Sequence, residues 1–447
     1  MSTAQSTPSV HHDAPGGGAE PPGSAREPAP LPNPNLLRNR SYMLLMSGLT
    51  TESLGAGLAL FAVPLVAYSL TGSVLQAGLV AAVGQVGALL ATLPAGVVAD
   101  RVDRRRLVVG ASAVGAALWV TVGVAAAAGT LTAWHLALVL FGASVVGAIV
   151  DPATSGAFRS VVPAPQLPTA LAASQGRDAV ASLLAGPVGG LLVAIGHAVP
   201  LVAAAVGSAA TAVCTWAVRE SLNGDTTEAR TTRPVEALRQ GLRFVWSVPV
   251  FRALLGLFVV INIAFGGLLV GINLELVRTG VSPVLIGVVD LAVGAGVLVG
   301  AVLAPQLVAR VRAGALTVAA LALLAVGAVV MAAAQTYAVY VAALPVAVLL
   351  VPAVNAGLAG YAAAITPHEL QGRLASIMGL TGLVAGPLIP LVGAGLLERF
   401  GIGTALVVLA GLLAGTVGAI ATVRPLWRIG TPRTWAADSL PAPANPA

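Results

Sequence analysis

From Ser41 onward the chain alternates long apolar runs with short polar joints. The runs fall at 41–68, 74–98, 105–128, 133–156, 170–196, 199–219, 251–276, 283–309, 313–334, 336–363, 373–397 and 402–424. A helix rises about 1.5 Å per residue and a bilayer core is about 30 Å thick, so each run is long enough to cross it. The pattern predicts an all-α membrane protein with twelve transmembrane helices. The longest interior polar stretch, 220–248, divides these spans six and six. That gives a first bundle at 41–219, a connection at 220–250 and a second bundle at 251–425. Within the connection, 234–248 sets Leu238, Leu242, Phe244 and Val245 among Arg239 and Arg243, the pattern of a helix lying on the membrane surface. Residues 1–40 are rich in Pro, Gly and Ser and read as a disordered tail, and 426–447 form a second tail. The first 30 residues have no apolar core of a cleavable signal peptide.

Composition supports a bilayer as the solvent. Hydrophobic residues make up 57% of the chain and charged residues 9%, against about 25% charged in a soluble domain. The 52 glycines suit helices that approach closely in lipid. All 23 basic residues are Arg, mostly scattered between spans, which builds no basic face for nucleic acid. With the N-terminus inside, all of them but Arg177, Arg278 and Arg399 fall on the cytoplasmic side. The positive-inside rule therefore predicts both termini cytoplasmic, and the Lys-free, Ala/Arg-rich composition, of the kind seen in GC-rich bacterial genomes, makes a bacterial inner membrane the expected location. A lone Cys214 and five unpaired His leave no metal signal, and no cofactor is expected. Without Lys there is no phosphate-binding loop of the Gly-x-x-x-x-Gly-Lys type, so ATP drive from this chain is excluded. No nucleophile elbow or His-Glu-x-x-His motif occurs either, and an enzyme is not expected.

The halves resemble each other. Gly78 through Val102 aligns with Gly287 through Val311 at an offset of 209, and Ala185-Gly186-Pro187 in span 5 matches Ala385-Gly386-Pro387 in span 11. Between spans 2 and 3 stands Gly96-Val-Val-Ala-Asp100-Arg101-Val-Asp103-Arg104-Arg105-Arg106. This resembles the loop 2–3 signature of the major facilitator superfamily, with Asp103 where that signature usually has Gly. Span 5 carries Gly186-Pro187-Val-Gly189-Gly190, similar to the core of the antiporter motif of drug exporters, although Ser182 replaces one upstream Gly. With the Leu70-Thr-Gly-Ser73 joint, Asp151-Pro152-Ala153 and Gly372-Arg373, the chain looks most like the branch that holds the enterobactin exporter and the macrolide efflux proteins. The resemblance covers about residues 40–425.

The resemblance implies the major facilitator fold, two six-helix pseudo-repeats around a central cavity. It also implies a gate: Gly96, Asp100, Arg101 and Arg104, with Arg373 pairing with Asp100 across the halves and Asp151 meeting Arg104. The alternatives are a loop 2–3 Arg cluster that only sets topology, and an Asp151 that caps the backbone freed by Pro152.

The remaining chemistry lies in ionisable groups within spans, where they are costly. Glu52 stands near mid-membrane in span 1, Arg177-Asp178 in the first half of span 5, and Asp290 about two turns into span 8. A carboxyl group in a poorly hydrated cavity disfavours its charged form and is suited to carrying a proton. Glu52 is the first candidate, with Asp178 and Asp290 after it; the bland alternative is a Glu52 satisfied by the hydroxyls of Thr50, Thr51 and Ser53. Gln85, Gln175, Arg177, Asn262 and Asn273 are candidates for lining the same cavity, or else cross-link helices. These observations lead to a secondary transporter exchanging inward protons for an outward small amphipathic solute, expected as a monomer. A proton-coupled importer is the nearest alternative, and a non-transporting membrane receptor a more distant one.

Overall fold

The computed structural model describes residues 36–223, 249–366, 381–422 and 429–438, with Trp246, Gln371 and Gly379 between them. The two expected tails fall largely, and the surface helix at 234–248 apart from Trp246, outside the described residues. So do Arg373 and the side chain of Asp100.

Among the described residues the secondary structure is helical throughout. The helices are α1 (Arg40–Thr71), α2 (Val74–Arg101), α3 (Arg104–Ala127), α4 (Ala133–Val161), α5 (Leu167–Ile195), α6 (Ala198–Ala217), α7 (Pro249–Arg278), α8 (Pro283–Arg310), α9 (Ala313–Ala334), α10 (Tyr337–Val348), α11 (Val351–Ile365) and α12 (Leu388–Thr422). The polar joints between apolar runs start and stop these helices. Asn39, Ser73, Asp103 and Thr132 each accept the backbone N–H three residues on, capping α1, α2, α3 and α4. Gly72 ends α1 in the left-handed region at φ 64°.

Two spans differ in detail from a single straight rod. Span 10 is built from α10 and α11, because Pro352 in the first turn of α11 cannot donate to the turn before it. The last apolar stretch, Thr381–Ile420, has 40 residues, about twice what one crossing needs. Its backbone leaves helical geometry at Gly401 (φ 74°, ψ 168°), a conformation that suits Gly, and so it makes two crossings, 381–400 and 402–420. Eleven stretches in the described residues are long and apolar enough to cross a membrane, and this division of the eleventh gives twelve crossings. Trp134, Trp216 and Trp246, at helix ends, are 79%, 72% and 64% exposed, as expected of aromatic anchors at the two interfaces.

Packing repeats between the halves. In the first, α1 lies on α6, α2 on α4 and α3 on α6; in the second, α7 and α9 lie on α12, and α8 on α10 and α11. Among the described residues the halves meet mainly along two seams, α5 with α8 and α2 with the stretch 381–400, with a smaller contact of α1 with α7. Both seams lie toward the end that carries loops 1–2 and 7–8. A Cβ on Gly186 would fall 2.6 Å from Asp290 Cβ, and one on Gly190 would strike the Pro283 carbonyl. On the other seam a Cβ on Gly78 would fall 2.8 Å from the Pro390 carbonyl and would meet Ala394. Only glycine lets backbones come this close. At the opposite end, eight of the ten residues 171–180 of α5, all but Ser174 and Arg177, are exposed, and they cannot all face lipid, for positions 171–173, 175–176 and 178–180 run right round the helix. Among the described residues the halves are therefore sealed at the loop 1–2 end and stand apart at the loop 2–3 end.

Candidate transport site

Three acidic side chains reach the same depth by different routes. Glu52 is twelve residues into α1, Asp178 eleven residues into α5, and Asp151 ten residues back from the end of α4. All are counted from the loop 2–3 end, which puts each about 15–18 Å inside it. Direct bonds tie the first two helices together. Ser53 Oγ donates to Asp178 Oδ1 at 2.9 Å, and Arg177 places Nη2 at 2.8 Å and Nε at 3.1 Å from the same oxygen. The third nitrogen, Nη1, has only the Met46 sulfur at 3.8 Å. The Arg177 side chain is 12% exposed and that of Asp178 53%, so the pair is buried on its cationic side and wet on its anionic side.

Glu52 lacks the local partners that its neighbours offered. Thr50 and Thr51 give their hydroxyl hydrogens to the Met46 and Ser47 carbonyls at 2.6 and 2.8 Å, and Ser53 gives its own to Asp178. Thr211 of α6, beside the Glu52 carboxyl, donates to the Gly48 carbonyl at 3.0 Å. Glu52 Oε2 is left buried without a hydrogen-bond partner. Glu52 feels the charges of Asp151 and Arg177, and Asp151 those of Asp178 and Arg177. Of the three carboxylates, Arg177 thus bonds Asp178 alone, and only its charge reaches Glu52 and Asp151.

The expected contact of Asp151 with Arg104 is not formed. The Arg104 guanidinium lies over Gly156, where a Cβ would come within 2.6 Å of Cζ, and Nη1 donates to the Leu222 carbonyl at 3.4 Å. Asp151 is more than a turn deeper on α4 than Gly156. The reason is that α4 continues to Val161, past the expected boundary at 156, which moves Asp151 from the membrane edge into the interior.

At the loop 2–3 end the basic residues hold the chain that follows α6. Arg105 Nη2 donates to the Val218 carbonyl and, at 2.9 Å, to that of Glu220. Asp103, the departure from the signature, caps α3 and accepts Asn223 Nδ2 at 2.7 Å. The Arg106 backbone N–H, with Asn223 and the neighbouring guanidinium groups, holds the Asp103 carboxyl below its usual range. Gly96 has open space where a Cβ would stand, and Arg101 is exposed.

Asp290 belongs to the seal, at the other end. Asn273 Nδ2 donates to its Oδ1 at 3.1 Å, and Gly186 of the antiporter-like motif lies against its Cβ. Gly189 of the same motif receives the Phe61 ring, 2.7 Å from where a Cβ would be. Gln85 reaches the second seam, with Oε1 3.3 Å from the Cβ position of Gly386. Asn262 bonds back to the Phe258 carbonyl of its own helix at 2.7 Å, and Gln175 is exposed on α5. The candidates therefore divide into a cluster (Glu52, Arg177, Asp178, joined by Asp151) and a seal (Asp290, Asn273, Gln85 and the glycines).

Sequence reasoning passed over Glu398. Its Oε2 accepts the Val74 N–H at 3.1 Å, which puts a carboxylate of the second half on the N-terminus of α2 in the first. Arg278, paired with Glu275 at 2.8 Å, adds its charge nearby. An acid at the end of a span reads as interfacial, and a partner 324 positions away in the chain leaves no mark on local pattern.

The model of the major facilitator superfamily matches residues 45–390, and the chain belongs to that family. The multidrug efflux pump Tap of Mycolicibacterium fortuitum is 27% identical over 373 residues, covering 79% of this chain and 88% of that one. The crystal structure of the nucleoside transporter NupG superposes with a TM-score of 0.69 at 12% identity, over 86% of this chain and 99% of its own. A bacterial homologue of the human lysosomal transporter Spinster, inward-facing and unoccupied, superposes with a TM-score of 0.66 at 15% identity, over 90% and 98%. These two show the all-α, multi-pass fold, and membership of the family makes the chain a membrane transporter rather than an enzyme.

Proposed function

We propose that the protein exports small amphipathic solutes in exchange for inward-moving protons, by alternating access between its two halves in a bacterial inner membrane. The observation that carries this reading is a seal at one end combined with a charged cluster at the head of an open vestibule at the other. Loop 2–3 and its Arg residues mark the open end as cytoplasmic under the positive-inside rule. In this reading a solute enters from the cytoplasm, meets Glu52, Asp151 and Asp178, and leaves once the α5–α8 and α2 seams part and the gate at loop 2–3 closes. Glu52 is the proton carrier: its Oε2 lacks a partner, and a carboxyl group in that setting is satisfied by taking up a proton. Similarity to an efflux pump over most of both chains supports the outward direction.

The test is solute uptake into inverted membrane vesicles under an imposed pH gradient, acid inside. Export predicts accumulation that collapses when the gradient is discharged. Accumulation in right-side-out vesicles, driven by external acid, would establish the importer instead.

A further inference from the structure

Arg177 is poorly satisfied for a buried guanidinium. Two of its nitrogens share one oxygen of Asp178, and the third has a sulfur at 3.8 Å, although Arg presents five N–H donors. Glu52, whose neighbour Ser53 bonds that same Asp178 oxygen, has the complementary defect: a buried carboxyl oxygen with no donor. Cation and acceptor thus flank a single Ser53–Asp178 hydrogen bond. The partner that Arg177 now holds is the one that can spare it. Asp178 is half exposed to the vestibule, and it keeps the Ser53 hydroxyl and gains water if the guanidinium leaves.

We infer that Arg177 is a tethered counter-cation, which moves from Asp178 to Glu52 when Glu52 gives up its proton. The inference rests on Glu52 being the proton carrier. In the protonated state Glu52 is neutral and Arg177 neutralises Asp178. On release, the proton passes to water in the vestibule, Glu52 becomes a carboxylate, Arg177 pairs with it, and Asp178 is left charged and hydrated. An unpaired charge beside α6 is avoided in both states, and the negative charge moves to where water and an incoming solute can meet it. Arg177 is here a positioning residue, acting on the proton site through Glu52.

The groups that face Glu52 are few. Asp151 comes from α4 and Arg177 from α5, with Asp178 acting on Asp151 beside them. Helix α6 offers the Thr211 hydroxyl, with no charge along its span. Helix α2 carries its charges, Asp100 and Arg101, at its loop 2–3 terminus, and α7 carries Arg252, Glu275 and Arg278 toward its ends. Among the described residues, Arg177 is the cation whose charge reaches Glu52.

The experiment is an infrared titration of the full chain in lipid nanodiscs, following the carboxylic acid band that Glu52→Gln removes. Arg177→Gln should move the midpoint of that band to higher pH by about one unit, since a nearby opposite charge favours the ionised carboxyl. Asp178→Asn should move it to lower pH, because Arg177 then has Glu52 as its better partner. Arg177→Lys, which keeps the charge, should stay near the wild type. The lowering by Asp178→Asn should vanish in the Arg177→Gln background; if it persists, Asp178 acts by its own charge and the transfer is wrong. Shifts that are absent, or of the same sign in Arg177→Gln and Asp178→Asn, overturn the inference while leaving Glu52 as carrier. A wild-type protein with no titrating Glu52 band removes the carrier and the inference together.

Discussion

Gly186 of α5 stands where Asp290 of α8 leaves no room for a methyl group: a Cβ there would lie 2.6 Å from Asp290 Cβ and 3.0 Å from the Gly287 carbonyl. Two Gly-Pro segments thus have the same task in the two halves. Gly186-Pro187 meets α8, and the matching Gly386-Pro387 stands beside Gln85 of α2, one turn from the contact of Pro390 with Gly78. Gly78 and Gly287, aligned by the internal repeat, both lie in seams. The seal is built twice from one pattern.

Gly186→Val should wedge α5 from α8. Overpacking of this kind costs about 1–3 kcal/mol, enough to shift a two-state equilibrium about tenfold toward the form with the seam open. Spin labels on Cys at Ile195 and Ser282, in a Cys214→Ser background, should report a population at longer distance. An unchanged distance distribution would mean that α5 and α8 do not form the seal.

Glu398→Ala should loosen the second seam. A carboxylate at a helix N-terminus, bonded to a backbone N–H, contributes about 1 kcal/mol. Losing it should raise the outward-open population about fivefold, read from labels at Ser73 and Arg399. Glu398→Gln, which keeps an acceptor but not the charge, should fall between. Equal behaviour of the Ala variant and the wild type would reduce Glu398 to a surface acid.

Glu52→Gln mimics the protonated carboxyl at nearly the same volume. It should abolish efflux driven by a pH gradient yet leave solute binding or downhill exchange intact. A variant that still pumps uphill at the wild-type rate would take Glu52 out of the mechanism.

Asp100→Asn and Arg373→Ala should each cut transport while folded protein stays in the membrane. If the two side chains pair when the loop 2–3 end closes, the double variant should lose far less than the sum of the singles. Strict additivity would show that they never meet.

Orientation is open to direct labelling. In a Cys214→Ser background, Cys at Ser73 or Thr130 should react with an impermeant thiol reagent on intact cells, while Cys at Ser160 or Thr226 should not. Reaction of the second pair in sealed cells would invert the topology and with it the direction assigned to transport.

Apolar run length, the loop 2–3 signature and the glycine-proline repeats made the helices, the membrane and the family legible from sequence. Those features act locally, through helix geometry and the cost of exposing backbone to lipid. Glu52, Arg177, Asp178 and Asp290 could also be picked out, because a charge inside an apolar run is conspicuous wherever it points. What tertiary structure alone decided is which of these meet. Asp151 looked like a gate residue because the end of α4 was placed near 156; five more helical residues carried it away from Arg104 and into the field of Arg177. The hydroxyls next to Glu52 looked like its partners, but helical geometry turns Thr50 and Thr51 back onto the Met46 and Ser47 carbonyls and aims Ser53 at α5. Asp290 and Glu398 took their places in the seal from helices far away in the chain. Pairings across more than a hundred residues depend on how six-helix halves pack, and neither residue type nor spacing along one helix encodes that.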